Sequence, residues 1–215
     1  MFDRIAGVYD LLNRVMTAGM DQRWRERAVE LARVGPGSRA LDVATGTGDL
    51  AVALRAAGAE VVGCDFSEEM LEIARRKEGS VRFEWADALE LPYEADSFDA
   101  ATVGFGARNF SDLERGLREM VRVVRPGGRV VVLEITTPTR PPLSTFFSIW
   151  FDRLVPALGR LTGDPDAYTY LPSSVKRFPA PLELGALMDA AGLRDVRWIL
   201  TAGGIIAIHA GTVEE

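Results

Sequence analysis

At 215 residues, with 47% hydrophobic and 26% charged side chains, the chain is one large domain, with or without an inserted cap, and disorder is excluded except at the ends. A net charge of −6 at pH 7 argues against a broad nucleic-acid surface, which needs a basic footprint, so RNA and DNA are not expected as partners. The single Cys64 leaves no internal disulfide, no charged-then-apolar leader opens the chain, and no run of about 18 apolar residues would span a bilayer; a cytoplasmic protein with at most peripheral membrane contact is expected.

The first 30 residues read as helical, with Arg14, Arg23, Arg25 and Arg27 interleaved with Leu11, Leu12, Val15, Met16 and Trp24, and with Gly19 as a break between two helices. These arginines read as a solvated face that could also meet anionic lipid. Gly35-Pro36-Gly37 is a turn before a first strand over Arg39 to Val43. Strands and helices then alternate: helix Asp49 to Ala57, strand Glu60 to Asp65, helix Ser67 to Lys77 with Ser67 as N-cap, strand Val81 to Ala86, strand Phe98 to Val103, and helix Leu113 to Val124. A Pro126-Gly127-Gly128 turn leads into a strand over Arg129 to Ile135. Such alternation predicts a parallel sheet covered on both faces.

The pattern breaks over residues 136–179, read as a cap or substrate insertion, just as residues 1–34 are read as an N-terminal helical lid. Within the insertion, Leu143 to Leu158 places Phe146, Phe147, Trp150, Phe151, Leu154, Val155 and Leu158 on one helical face. Such a face is core by default, and it could also line a lipid-tail channel or rest on a membrane. Pro181 to Ala191 resumes as a helix, followed by closing strands at Leu193 to Thr201 and Ile205 to Ala210. The expected fold class is therefore α/β, a doubly wound, Rossmann-like, mostly parallel seven-stranded sheet with an antiparallel last strand and a helical cap, all within one domain.

Residues Leu41 to Asp49, Leu-Asp-Val-Ala-Thr-Gly-Thr-Gly-Asp, join a buried strand to a glycine turn and a helix, and Asp65 follows Gly46 by 19 residues, the offset at which a carboxylate meets a ribose diol. The loop departs from Gly-x-Gly-x-x-Gly, because Leu50, Ala51 and Val52 follow its second glycine. Asp42, Asp49, Asp65 and Asp87 should gather at the strand ends, where they would repel a dinucleotide pyrophosphate. S-adenosylmethionine has no phosphate and carries a sulfonium, an ammonium and a ribose diol, which carboxylates suit. A methyl donor is thus favoured over NAD.

The chain resembles the class I S-adenosylmethionine methyltransferases, and within them the menaquinone and ubiquinone biosynthesis C-methyltransferases. The resemblance is carried by Phe2-Asp3-Arg4-Ile5-Ala6 with Tyr9-Asp10, Leu41 to Leu50, Ala86-Asp87-Ala88 with Leu91-Pro92, Phe105-Gly106-Ala107-Arg108-Asn109, Arg122 to Arg129, Tyr168-Thr169-Tyr170-Leu171 and Thr201 to Gly211. It implies donor binding by Thr45, Gly46, Thr47, Gly48, Asp65, Phe66, Asp87, Ala88 and Gly104, and acceptor contacts from Tyr9, Tyr168, Tyr170 and Ser174. Four positions differ from the family's usual pattern: Asp21-Gln22 stands for His-Arg, Gly104 for Ser and Ala107 for Leu. Gly104 removes a hydroxyl contact to the donor, and Ala107 is expected to enlarge the pocket beside Arg108.

The resemblance implies methyl transfer to a ring carbon of a prenylated quinol. Demethylmenaquinol is the preferred acceptor, with the methoxy-benzoquinol of ubiquinone synthesis as the alternative. Forming a phenolate from a hydroxyl of pKa near ~10 costs about 4 kcal/mol at neutral pH. Arg108 is expected to hold that anion and Asn109 to orient its oxygen, with in-line placement contributing up to roughly 7–11 kcal/mol; no metal is needed. A homodimer is carried alongside. Set against this, Arg108 could be a structural cap, Tyr168 and Tyr170 could simply pack the cap, and His209 reads as a satisfied core or edge histidine. Cys64 reads as a small buried hydrophobe. A methyltransferase for another small acceptor ranks lower because the Phe105–Asn109 and Tyr168–Leu171 stretches are both present, a non-enzymatic binding module because Gly46, Gly48 and Asp65 are intact, and an NAD-dependent reductase because of the acidic crevice.

Overall fold

Near-continuous apolar runs leave a strand no face for water, so both sides of the sheet must be covered. In the computed structural model, which describes residues 19–138, 141, 143–149 and 173–214, the strands are β1 (Arg39–Val43), β2 (Glu60–Asp65), β3 (Arg82–Trp85), β4 (Phe98–Gly104), β5 (Val124–Ile135), β6 (Leu193–Thr201) and β7 (Ile206–Val213). They form one seven-stranded sheet in the order β3-β2-β1-β4-β5-β7-β6. The first five run parallel, and β7 lies antiparallel between β5 and β6. This is the expected doubly wound sheet with an antiparallel last strand.

The flanking helices are α1 (Met20–Ala32), α2 (Asp49–Ala56), α3 (Glu68–Lys77), α4 (Leu113–Val123), α5 (Leu143–Ile149) and α6 (Pro181–Ala190). Period-two alternation divides each strand between two cores. Leu41, Val43, Val130 and Val132 pack with Leu117 and Met120 of α4 and Leu184 and Met188 of α6. Ala40, Val131 and Leu133 pack on the opposite face with Trp24 and Ala28 of α1, Leu50 and Leu54 of α2, and Leu71 of α3. Caps set the helix starts: Ser67 Oγ accepts from Met70 N at 3.3 Å and Asp112 Oδ1 accepts from Arg115 N at 2.9 Å. Acids open α3 at Glu68 and Glu69, and Arg75, Arg76 and Lys77 close it, complementing the helix dipole.

Several boundaries differ from expectation. β5 begins at Val124 rather than Arg129, because Val124 pairs with Phe98 before the register slips and Arg129 pairs with Ala100. Pro126-Gly127-Gly128 is thus an irregularity inside the strand, not a turn ahead of it. Helix α5 falls within the expected 143–158 helix, whose remainder, with Trp150, Phe151, Leu154, Val155 and Leu158, lies outside the described residues, as do Tyr168, Tyr170 and Tyr9. Among the described residues no helix is long and apolar enough to cross a membrane. The chain leaves β1 toward β2 and β3 but leaves β4 toward β5, and this reversal opens a crevice at the carboxyl ends of β1 and β4.

Candidate active site

Two strained residues shape that crevice. Ala44, after β1, has φ 51°, and Phe105, after β4, has φ 60°; left-handed backbone costs a non-glycine residue roughly 1–2 kcal/mol. Both turn the chain aside at adjacent strand ends, leaving a cleft of about 380 Å³. At Gly106 a Cβ would come within 2.6 Å of Ala44 Cβ, so glycine lets the two loops approach.

Of the expected donor residues, Thr45, Gly46, Thr47, Asp65, Phe66, Asp87, Ala88 and Gly104 line the cleft, together with Asn109. Gly48 does not; at φ +85° it forms the turn into α2, and an added Cβ would fall 2.7 Å from Phe83 Cζ. All four expected acids are present in the cleft wall. Asp65 accepts from Gly46 N at 2.8 Å and Ser67 N at 2.9 Å, so the glycine loop is tied to the end of β2 through a carboxylate. That loop N–H is therefore aimed at an acid, an arrangement unsuited to a pyrophosphate. Asp42, buried beneath the loop, accepts from Thr45 Oγ1 at 2.6 Å and Thr102 Oγ1 at 2.7 Å. Burial pushes its carboxyl up to about 6, with the two hydroxyls pulling the other way. Asp49 lies 3.2 Å from Arg25 and pairs with Lys77, while the exposed Asp87 accepts from Leu89 N at 2.9 Å.

The residues present fit S-adenosylmethionine. Asp65 would take the ribose diol and Asp87 the adenine amino group. Phe66 and Trp85, each 60% exposed, offer apolar surface for the base, and Trp85 Nε1 donates to Phe66 O at 2.8 Å, fixing one against the other.

Arg108 stands elsewhere than expected. It sits in a short 3₁₀ helix, Ala107–Asn109, does not line the cleft, and pairs with Glu134 of β5 at 2.7 Å, both side chains buried. Glu134 also accepts from Arg108 N at 3.2 Å and Ile135 N at 2.7 Å, and the guanidinium donates to Phe105 O. The reason is electrostatic: an acid inside a buried strand needs a counter-charge, and Arg108 supplies it. Glu134 escaped the sequence reading, although a lone acid in Val130-Val131-Val132-Leu133-Glu134-Ile135 signals a buried partner. Ala107 is 1% exposed and packs into the α4 core, so it does not widen the cleft. Ser174 is likewise buried and outside the cleft, next to Val175, which packs with Phe147, Ile135 and Ile205.

Arg25 is the second residue missed. Read as part of a solvated or lipid-facing set, it instead lines the cleft, with Cζ 6.0 Å from the Phe105 ring centroid, while Trp24 meets the same ring edge-on at 6.4 Å. His209 is a buried core histidine, as expected, but only half satisfied: its Nε2 lies 2.8 Å from Pro181 O and its ring stacks on Trp198, while its buried Nδ1 has no hydrogen-bond partner among the described residues, and burial lowers its pKa. Cys64 is buried and its thiol is pushed well above the usual range by burial.

The sequence model of the ubiE/COQ5 methyltransferase family matches residues 1–213. The chain belongs to this family. It is 52% identical over 218 residues to a demethylmenaquinone methyltransferase of Thermus thermophilus, covering 98% of this chain and 99% of that one. It is 41% identical to a ubiquinone/menaquinone biosynthesis C-methyltransferase of a Geobacter species, covering 99% and 94%. The fold matches that of an S-adenosylmethionine-dependent methyltransferase from Thermotoga maritima, with a TM-score of 0.70 at 22% identity, over 98% of this chain and 97% of that one. Membership makes S-adenosylmethionine the methyl donor, in agreement with the acidic, phosphate-averse cleft. At Gly104, which lies under Leu50, an added Cβ would fall 3.1 Å from Leu50 Cδ2.

Proposed function

We propose that the chain methylates a ring carbon of a prenylated quinol, with demethylmenaquinol as the preferred acceptor and the methoxy-benzoquinol of ubiquinone synthesis as the alternative. The observation that carries this reading is that Phe105, Gly106 and Asn109, from the Phe105–Asn109 stretch that carries the family resemblance, line the donor cleft. The donor, when bound, supplies an electrophilic methyl on sulfur. The chain's own residues must bring a ring carbon in line with it and keep the neighbouring hydroxyl deprotonated, at a cost of about 4 kcal/mol at neutral pH. Asn109 is suited to hydrogen-bond that oxygen. Arg108 holds the turn that presents Asn109 through its pairing with Glu134.

Residues 1–34 and 136–179 are assigned as lid and cap, the lid supported by the contacts of Trp24 and Arg25 with Phe105. Tyr9, Tyr168 and Tyr170 remain the proposed acceptor residues. A cytoplasmic enzyme in peripheral contact with lipid suits a prenylated acceptor. A homodimer is supported by the sheet-edge strand β6, where Trp198 and Leu200 are exposed; sedimentation at micromolar concentration tests it, and a monomer throughout removes it. Labelled donor incubated with each quinol in parallel tests the acceptor. Transfer to demethylmenaquinol is expected, and activity on neither quinol with donor binding intact would overturn the assignment.

A further inference from the structure

The methyl donor has an α-carboxylate as well as its cationic groups, and the cleft wall carries four acids, Asp42, Asp49, Asp65 and Asp87. A carboxylate entering such a site is repelled unless a cation receives it. Among the described residues that line the cleft, Arg25 is the one cation. Its side chain is only 11% exposed and is oriented by Asp21, one helical turn earlier on α1. Asp49 lies 3.2 Å from the guanidinium on its other side, and Lys77 independently pairs with Asp49. The acid therefore keeps a counter-charge of its own if Arg25 takes up a further anion.

Position agrees with charge. The proposed adenosine contacts Phe66, Trp85 and Asp87 follow from β2 and β3, whereas Arg25 stands over Phe105 at the end of β4. From β3 to β4 the order is β3-β2-β1-β4, three spacings of about 4.8 Å each. Base and amino-acid tail would thus lie at opposite ends of the cleft. A guanidinium offers five N–H donors in a fork, enough for Asp21, Asp49 and one incoming carboxylate.

We propose that Arg25 anchors the α-carboxylate of the methyl donor, so that recognition of the amino-acid tail resides on helix α1; this rests on the methyl-donor reading above. Asp49 then faces the donor's α-ammonium, and donor binding draws α1 onto the cleft.

Isothermal titration calorimetry of the full chain with S-adenosylhomocysteine and with its decarboxylated analogue tests this without relying on activity. Wild type should prefer the carboxylate-bearing ligand by about 10–100-fold, the range for a charge-assisted hydrogen-bonded pair. Arg25→Gln should bring that preference to within about threefold while leaving affinity for the analogue unchanged, and Arg25→Lys, which keeps charge but loses the fork, should retain an intermediate preference. Wild-type affinities within about threefold of each other, or an Arg25→Gln variant that keeps the wild-type preference, would overturn the anchoring role alone. Failure of wild type to bind either ligand would remove the methyl-donor reading with it.

Discussion

Replacing Asp42 by Asn removes a charge that the fold resists. The Asp42 carboxyl is 1% exposed, and burial raises its pKa from 3.8 to about 6 against the opposing pull of Thr45 and Thr102. Because the folded value exceeds the unfolded one, the native state holds a proton that the unfolded chain loses between about pH 4 and pH 6. Stability from this group is therefore full below about pH 4, falls as pH rises to about 6, and is level above that. The difference corresponds to about 3 kcal/mol. Asn keeps the shape, accepting from one threonine and donating to the other, so Asp42→Asn should be about 2–3 kcal/mol more stable than wild type near pH 7.5 and nearly equal to it near pH 4. Urea unfolding at both pH values reads this as a wild-type minus variant difference, which cancels groups of opposite sign such as Glu119, whose pKa its hydrogen bond with Arg122 lowers. A difference that does not change with pH would refute the reasoning.

Four further expectations concern the buried ion pair, the loops and lipid contact. Glu134→Ala removes the carboxylate that faces the buried Arg108 guanidinium and should cost about 3–5 kcal/mol in chemical unfolding, whereas Arg108→Met with Glu134→Leu should recover most of that stability but not turnover; additive losses would contradict the pairing. Arg108→Ala, assayed on the folded fraction, should lower turnover by about 100-fold while changing donor affinity by less than about threefold, and equal loss of both would make the arginine purely structural. Gly106→Ala brings a Cβ to 2.6 Å from Ala44 Cβ and should cost about 1–3 kcal/mol together with donor affinity, measured by calorimetry; unchanged binding and stability would show that the loops yield freely. In a liposome flotation assay at low salt the protein should rise with anionic vesicles, and complete absence from lipid would sink the membrane-surface part of the proposal.

Much of the architecture is legible in local pattern. Unbroken apolar strands such as Val130 to Leu133 and the alternating helices identify a two-faced sheet, and Ser67 marks its helix start in the residues alone. The start of β5 is not legible, because Pro126-Gly127-Gly128 has the composition of a turn and only pairing of Val124 with Phe98 makes it part of the strand. At the site, the offset of Asp65 from Gly46 reads correctly as proximity, since Asp65 accepts from Gly46 N at 2.8 Å. What escapes is the long-range electrostatics. Arg108 carries a motif that points to chemistry, yet its orientation is decided by Glu134, 26 positions away on β5. Arg25 sits in an arginine-rich helix resembling a solvated face, and only the approach of α1 to Asp49 and Phe105 separates it from its neighbours.

The most direct measurement is carbon-13 NMR of the product formed from methyl-labelled S-adenosylmethionine, with demethylmenaquinone supplied in its reduced or its oxidised form. The account predicts a new methyl on a ring carbon, equimolar with S-adenosylhomocysteine, from the reduced acceptor, and none from the quinone, which has no hydroxyl to ionise. Label on oxygen, or equal transfer to the quinone, would contradict it.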